Sequence, residues 1–237
     1  MKEQKSFGKI VNTLQNHEIF EILTLEQLKK CRILDKLIFG GGTMLRLCHG
    51  LKRYSVDLDF WPYQNNIELK LLEDVVSCLK EKNEITDAEN KRFTTLIEIR
   101  NKNFPKRLKI EIRNKFTLFD FQQNIAWSPY SDKQVAIRTH TLEQTIQNKL
   151  SALFDRREIR DAFDLEFLLR NGVKLPKKKI DFYKKILNII DGFVDIDYKV
   201  KLGSIIEKNM RDYYANNKFN FLINQIVNKI SFYQGTL

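Results

Sequence analysis

Residues 40–60 read GGGTMLRLCHGLKRYSVDLDF and hold three of the chain's nine glycines in one run, Gly40, Gly41 and Gly42. Turn chemistry is therefore concentrated at a single place. Beyond it, Thr43 to Leu51 carries apolar residues at Met44, Leu45, Leu47, Cys48 and Leu51, the spacing of a short helix. Val56 to Trp61 then alternates: Val56, Leu58 and Phe60 face one way, Asp57, Asp59 and Trp61 the other. That is strand periodicity, and it puts two carboxylates on one face with Cα atoms about 6.5–7 Å apart.

Like charges held that close repel, and burial raises their pKa values unless a cation lies between them. A hard divalent ion meets that need. Mg²⁺, or Mn²⁺ in its place, takes a few carboxylates together with phosphate oxygens and water, and a two-metal arrangement aligns a nucleophile with a leaving phosphate. In Leu108 to Ile112, Glu111 alternates against Ile110 and Ile112, which makes it the candidate third acid; Lys109 shares its face. A strand DxD alone is most often a solvated polar face. Its pairing with Gly41, Gly42 and Thr43 upstream is what carries information, because glycines ahead of a helix let backbone N–H groups approach a phosphate.

Working outward, Ile19 to Leu37 reads as an amphipathic helix, with Leu37, Ile38 and Phe39 running into the glycines. A helical segment follows from about Ile67 to Lys80, and Phe93 to Arg100 and Arg107 to Arg113 read as a β-hairpin closed by NKNFPK. Past Pro129 the 3.6-residue period dominates, near 142–155, 159–170, 178–190, 198–214 and 219–233. The expectation is an α+β protein. Residues 1–135 form an α/β domain with a mixed sheet and helices, and residues 136–237 a helical bundle.

With 41 Lys+Arg against 30 Asp+Glu, the 237-residue chain carries a formal charge of +11, spread over both halves. Such a surface favours polyanions, nucleic acid first. Cys31, Cys48 and Cys78 are odd in number and share no CxxC spacing, which argues against a disulfide framework and a structural zinc site, and for a reducing compartment. No leader-like or membrane-spanning apolar run is apparent, so the expected location is the cytoplasm, with no membrane partner. His17, His49 and His140 are scattered, without zinc spacing, and read as surface or helix-end residues.

The stretch GGTMLRLCHGLKRYSVDLDF resembles the signature of the DNA polymerase β-like nucleotidyltransferase superfamily, and its Arg53, Ser55, Asp57, Leu58, Asp59, Phe60 pattern resembles the AbiEii/AbiGii-type toxin family within it. KLSALFDRREIRDAFDLEFLL is similar to that family's later motifs, a helix lysine (Lys149) followed by Arg160, Asp161, Asp164 and Leu165. The resemblance spans roughly residues 35–170, with Gly42-Thr43 where the superfamily usually has Gly-Ser. It implies a polymerase β-like first domain and a helical second domain that completes the nucleotide and acceptor cleft. It further implies Asp57 and Asp59 as metal ligands, to which Glu111, outside the family motifs, is added as the candidate third from its strand alternation; Gly41, Gly42, Thr43, Arg53, Ser55 and Lys149 on the nucleotide; and Lys149, Asp161 and Asp164 as catalytic with the three acids.

Read physically, Thr141 and Gln144 have capping-box spacing, and Leu142, Ile146, Lys149 and Leu153 form one stripe, so Lys149 lies on an otherwise apolar face. Such a lysine commonly snorkels to the rim. Arg157, Asp161, Asp164 and Leu168 share the next helix face, where Arg157 with Asp161 and Arg160 with Asp164 are the ordinary i+4 pairs; Asp161 or Asp164 is also placed to hold Lys149. Arg46 and Arg53 flank the glycines and the carboxylate strand, within reach of phosphate or of solvent. Lys174, Lys177, Lys178, Lys179, Lys184 and Lys185, with Phe182 and Tyr183 among them, form either a solvated face or a track for an RNA backbone.

The expected activity is Mg²⁺-dependent transfer of a nucleoside monophosphate from an NTP to RNA. The resemblance implies a toxin–antitoxin or phage-defence role, the 3′ end of tRNA as acceptor, and a cognate antitoxin encoded nearby. Two rivals stay open: a nucleotidyltransferase acting on a small molecule such as an antibiotic or on a protein side chain, and a non-catalytic nucleic-acid binder on the same scaffold.

Overall fold

The computed structural model describes residues 2–65 and 70–235. It divides into two compact units, one of Met1–Gly50 with Tyr54–His140, the other of Leu51–Arg53 with Thr141–Leu237.

The first unit is a seven-stranded mixed sheet with helices. Its elements are α1 (Lys2–Lys30), β1 (Leu37–Gly40), α2 (Gly41–His49), β2 (Asp57–Pro62), α3 (Leu71–Lys80), β3 (Glu84–Asn90), β4 (Thr94–Arg100), β5 (Leu108–Arg113), β6 (Phe121–Trp127) and β7 (Gln134–His140), in sheet order β3-β4-β5-β2-β1-β7-β6. β1 is buried at every position and sits between antiparallel β2 and parallel β7. On β2 the alternation predicted from sequence appears as buried Leu58 and Phe60 against half-buried Asp57 and Asp59. The core beneath includes the Phe39 and Phe60 rings, with centroids 5.2 Å apart.

Several sequence expectations change. The first helix does not reach Leu37: it stops at Lys30, where Arg32 turns left-handed (φ 60) into a 3-10 turn over Ile33–Lys36, and Leu37–Gly40 is a strand. Of the helix expected from Ile67, Leu71–Lys80 is present, while Ile67 to Leu69 lie outside the described residues. The expected hairpin is β4 paired with β5, antiparallel. Cys31 and Cys78 form a disulfide between the end of α1 and α3, contrary to the reading of unpaired thiols. Gln27 supports the same junction by donating to the Cys78 carbonyl at 2.6 Å. His17 and His140 are buried rather than surface residues, 1% exposed each, while His49 does end a helix.

The second unit is helical: α4 (Leu142–Arg156), α5 (Ile159–Arg170), α6 (Ile180–Asp191), a π-helical turn (Asp197–Leu202), α7 (Lys208–Asn217) and α8 (Asn220–Gly235). Thr141 caps α4 by accepting from the Gln144 amide at 3.1 Å. At the end of α5, Gly172 takes φ +83 and the Val173 amide returns to the Leu168 carbonyl. The helix expected over 198–214 is broken in two, because Ile206 leaves the helical path to bridge Arg53. Buried Glu166 gathers the unit, accepting from the Tyr214 hydroxyl at 3.1 Å and the Leu222 amide at 3.2 Å. No described helix is long and apolar enough to cross a membrane.

Candidate active site

Gly41 opens α2 at φ +75, and a Cβ built there would lie 2.2 Å from Asp59 Oδ2. Only a glycine lets the backbone pass this close, so the Asp59 carboxylate sits against the N-terminal end of α2, where unpaired amides favour negative charge. The Thr43 side chain is fully buried and donates to the Asp57 main-chain carbonyl at 2.6 Å. Its hydroxyl thus ties the glycine turn to the carboxylate strand rather than projecting toward a phosphate. Ser55 is half-buried on the segment entering β2.

β2 and β5 run parallel with Asp57 opposite Lys109 and Asp59 opposite Glu111. The alternation of both strands sets these four side chains on one half-buried face. The Lys109 ammonium contacts the Glu111 carboxylate. Its pKa is raised, first by that hydrogen bond, against burial, and further by the charges of Glu111, Asp57 and Asp59. A cation is already favoured among the three acids, and their oxygens suit a hard divalent ion. Among the described residues no three acids, histidines or cysteines, these three acids included, stand close enough together to hold a metal ion.

Behind Asp57, α1 contributes groups that sequence reading missed. His17 Nε2 lies 3.0 Å from the Val56 carbonyl, and Glu21 is fully enclosed. Burial drives the Glu21 carboxyl well above its usual range, with Glu18 and Asp57 adding to the effect against Arg46. Glu18 in turn pairs with Arg46 and accepts from Ser128 Oγ at 2.7 Å, and Arg46 stacks 4.0 Å over the Tyr54 ring. Arg46 is therefore an internal residue. Nothing local marks these α1 positions, since polar residues in an amphipathic helix ordinarily read as its wet face.

Within the helical unit, Lys149 Nζ lies 2.6 Å from Asp164 Oδ2 and 3.3 Å from Asp161 Oδ1. Arg53 makes two 2.6 Å bonds to Asp164, and Arg156 two 2.7 Å bonds to Asp161. Both aspartates are fully buried, so the cluster joins three cations to two carboxylates. Burial alone would raise Asp164, but Arg53 and Lys149 outweigh it and hold the carboxyl below its usual range. Lys149 does not snorkel: it is 6% exposed and held by both acids. The i+4 pairs are absent here. Arg157 lies outside α5, in a left-handed turn after α4, and Arg160 approaches Glu158 at 3.9 Å. Arg53, expected near the nucleotide, is committed to Asp164.

The family described as "Nucleotidyl transferase AbiEii toxin, Type IV TA system" matches residues 24–214. No curated protein matches the sequence. Among solved structures, JHP933 from Helicobacter pylori is 20% identical over 91% of this chain and 97% of its own, with a TM-score of 0.52. A second Helicobacter pylori structure is 21% identical over 88% and 97%, with a TM-score of 0.53. MenT4, a nucleotidyltransferase toxin of Mycobacterium tuberculosis H37Rv, is 14% identical over 91% and 89%, with a TM-score of 0.49. The fold is that of the two Helicobacter proteins, and the carboxylate strand behind a glycine turn lies inside the matched span: the chain belongs to the AbiEii family of nucleotidyltransferase toxins of type IV toxin–antitoxin systems.

Proposed function

We propose that this protein transfers a nucleoside monophosphate from an NTP to an RNA hydroxyl, with the 3′ end of tRNA as acceptor, and that an antitoxin encoded nearby opposes it. The observation that carries the reading is the Asp59 carboxylate packed on Gly41 with Glu111 in register beside it. Mg²⁺ held by Asp57 and Asp59, with Glu111 as third ligand once Lys109 yields it, would supply charge neutralisation at the triphosphate. The amides at the start of α2 receive phosphate oxygens, and Thr43 keeps that turn fixed to β2. The acceptor oxygen bonds to the α-phosphorus, the bond to pyrophosphate breaks, and the hydroxyl proton passes to a carboxylate, Glu111 being the one assigned. Within the helical unit, Lys149 is set in place by Asp161 and Asp164. Such transfers gain their rate mainly from alignment and charge stabilisation.

The test incubates each α-labelled NTP with total RNA, protein and small acceptors, with and without EDTA. The expected result is label in RNA, lost with EDTA and in Asp57→Asn and Asp59→Asn variants. Label confined to protein or small molecules would move the acceptor class. A cellular phenotype that survives Asp59→Asn would point to a non-catalytic binder.

A further inference from the structure

The helical unit contains a cavity of about 910 Å³ where α4 ends, α5 begins, and α6 and the π-helical turn pass. That is ample for a small organic ligand. Its walls combine three kinds of surface. Phe154 presents a ring 36% exposed, stacked on Phe182 at 5.5 Å, with Lys185 Nζ 5.9 Å from its centroid. Ile159, Ile189 and Phe193 add apolar lining. Four cations line it, and their fates differ. Arg156 is bonded to Asp161, and Lys201 reaches Asp197 at 2.7 Å, an acid that also accepts from the Val194 amide at 3.0 Å. Arg157 and Lys185 are both exposed, and Glu158 is the other acid of the wall. Lys184 on the same helix, and Lys177, Lys178 and Lys179 ahead of it, are exposed as well and extend the positive surface along α6.

An exposed aromatic ring, an apolar lining and flanking cations are what one unstacked nucleotide requires: a face for the base and charge for the phosphates on either side. A duplex does not offer its bases in this way. We infer that this cavity is a binding site for a nucleotide unit of single-stranded RNA, with the base against Phe154 and the adjoining phosphates on Arg157 and Lys185. The choice of RNA rests on the acceptor proposed above; the site itself rests on the cavity. Because Arg156 both lines the cavity and bonds Asp161, an occupant lies one side chain away from the Lys149 cluster.

The experiment measures anisotropy of a labelled single-stranded RNA of about ten nucleotides against the full-length protein over a salt series. Phe154→Ala is expected to weaken binding about tenfold. Arg157→Glu with Lys185→Glu should weaken it further and flatten the salt dependence by about 1.4 in log–log slope. A charge-matched control, Lys30→Glu with Lys80→Glu, should change binding far less, and a 2-aminopurine base in the RNA should be quenched by wild type but not by Phe154→Ala. Circular dichroism melts confirm that each variant folds. Equal loss in the control pair, unchanged binding in the cavity variants, or no binding by wild type overturns the inference. Cavity-dependent binding without label transfer to RNA upholds the site and rejects the acceptor reading alone.

Discussion

The Thr43 hydroxyl reaches the main-chain carbonyl of Asp57 across 2.6 Å and so couples the first turn of α2 to the start of the carboxylate strand. Thr43→Val keeps the shape but removes that hydrogen bond, a cost of about 0.5–1.5 kcal/mol. Thr43→Ser keeps the bond. Urea unfolding and labelled-NTP transfer should both rank wild type, Ser and Val in that order, and a valine variant equal to wild type in both would show that the bond positions nothing.

Gly41 and Gly50 make a matched pair of tests. Both have positive φ, +75 and +74, yet a Cβ meets Asp59 at the first and nothing within 4 Å at the second. Alanine at either should cost about 1 kcal/mol in backbone strain. Gly41→Ala alone should also displace Asp59 and lower transfer by about a hundredfold. Equal activity in the two variants would mean that Asp59 is not where the reaction occurs.

Arg53 and Asp164 share a buried bidentate pair. Arg53→Met leaves Asp164 with Lys149 alone and should destabilise the fold by about 3 kcal/mol, while Arg53→Met with Asp164→Leu should cost less than the two single changes summed. Because the Asp164 carboxyl is held below its usual 3.8, its stabilisation is complete above that pH and is lost as pH falls through the lower folded value. The stability gap between wild type and Asp164→Asn, read by denaturant titration, should therefore narrow in strong acid.

Burial pushes His140 down from 6.5 to about 4. Its ring lies 4.6 Å from that of Trp61 and 5.0 Å from that of Phe119. Between these two pH values the unfolded chain takes up a proton that the folded chain refuses, so stability should fall with pH from 6.5 toward 4, by something like 3 kcal/mol at most. His140→Phe should shrink that slope. His17 and His49, also lowered by burial, keep part of it.

Thiol chemistry checks the cross-link. Cys31 and Cys78 are joined, and burial raises the Cys48 thiol to about 12. Iodoacetamide should leave the native protein nearly unmodified, add one label after denaturation, and add three after denaturation with reductant, as counted by mass spectrometry. Three labels without reductant would show that the bond does not form.

The parity of Asp57 and Asp59 was legible because β2 buries one face and half-exposes the other, and that difference is written in every second residue. The same rule hid β3, exposed at most of its positions at the sheet edge, and β6, whose outward side is the apolar one: Phe121, Ile125 and Trp127 are exposed while Asn124 turns inward to Thr139. The helix lysine and its two aspartates were visible as a motif. Their partners were not, since Arg53 lies 111 positions before Asp164 and meets it only through the fold. The stop after Lys30 carries no glycine to announce it, as Arg32 takes the left-handed turn itself. The disulfide spans 47 positions and has no local signature.

Leu51–Arg53 belong to the helical unit although the chain on both sides of them builds the sheet. A polypeptide ended after His140 would carry a guanidinium stripped of its counter-ion, and a fragment begun at Thr141 would hold Asp164 short of one cation. Neither half is an autonomous cassette. Recombination that swaps helical halves among relatives must carry this tripeptide along, or pair an arginine with a stranger's aspartate.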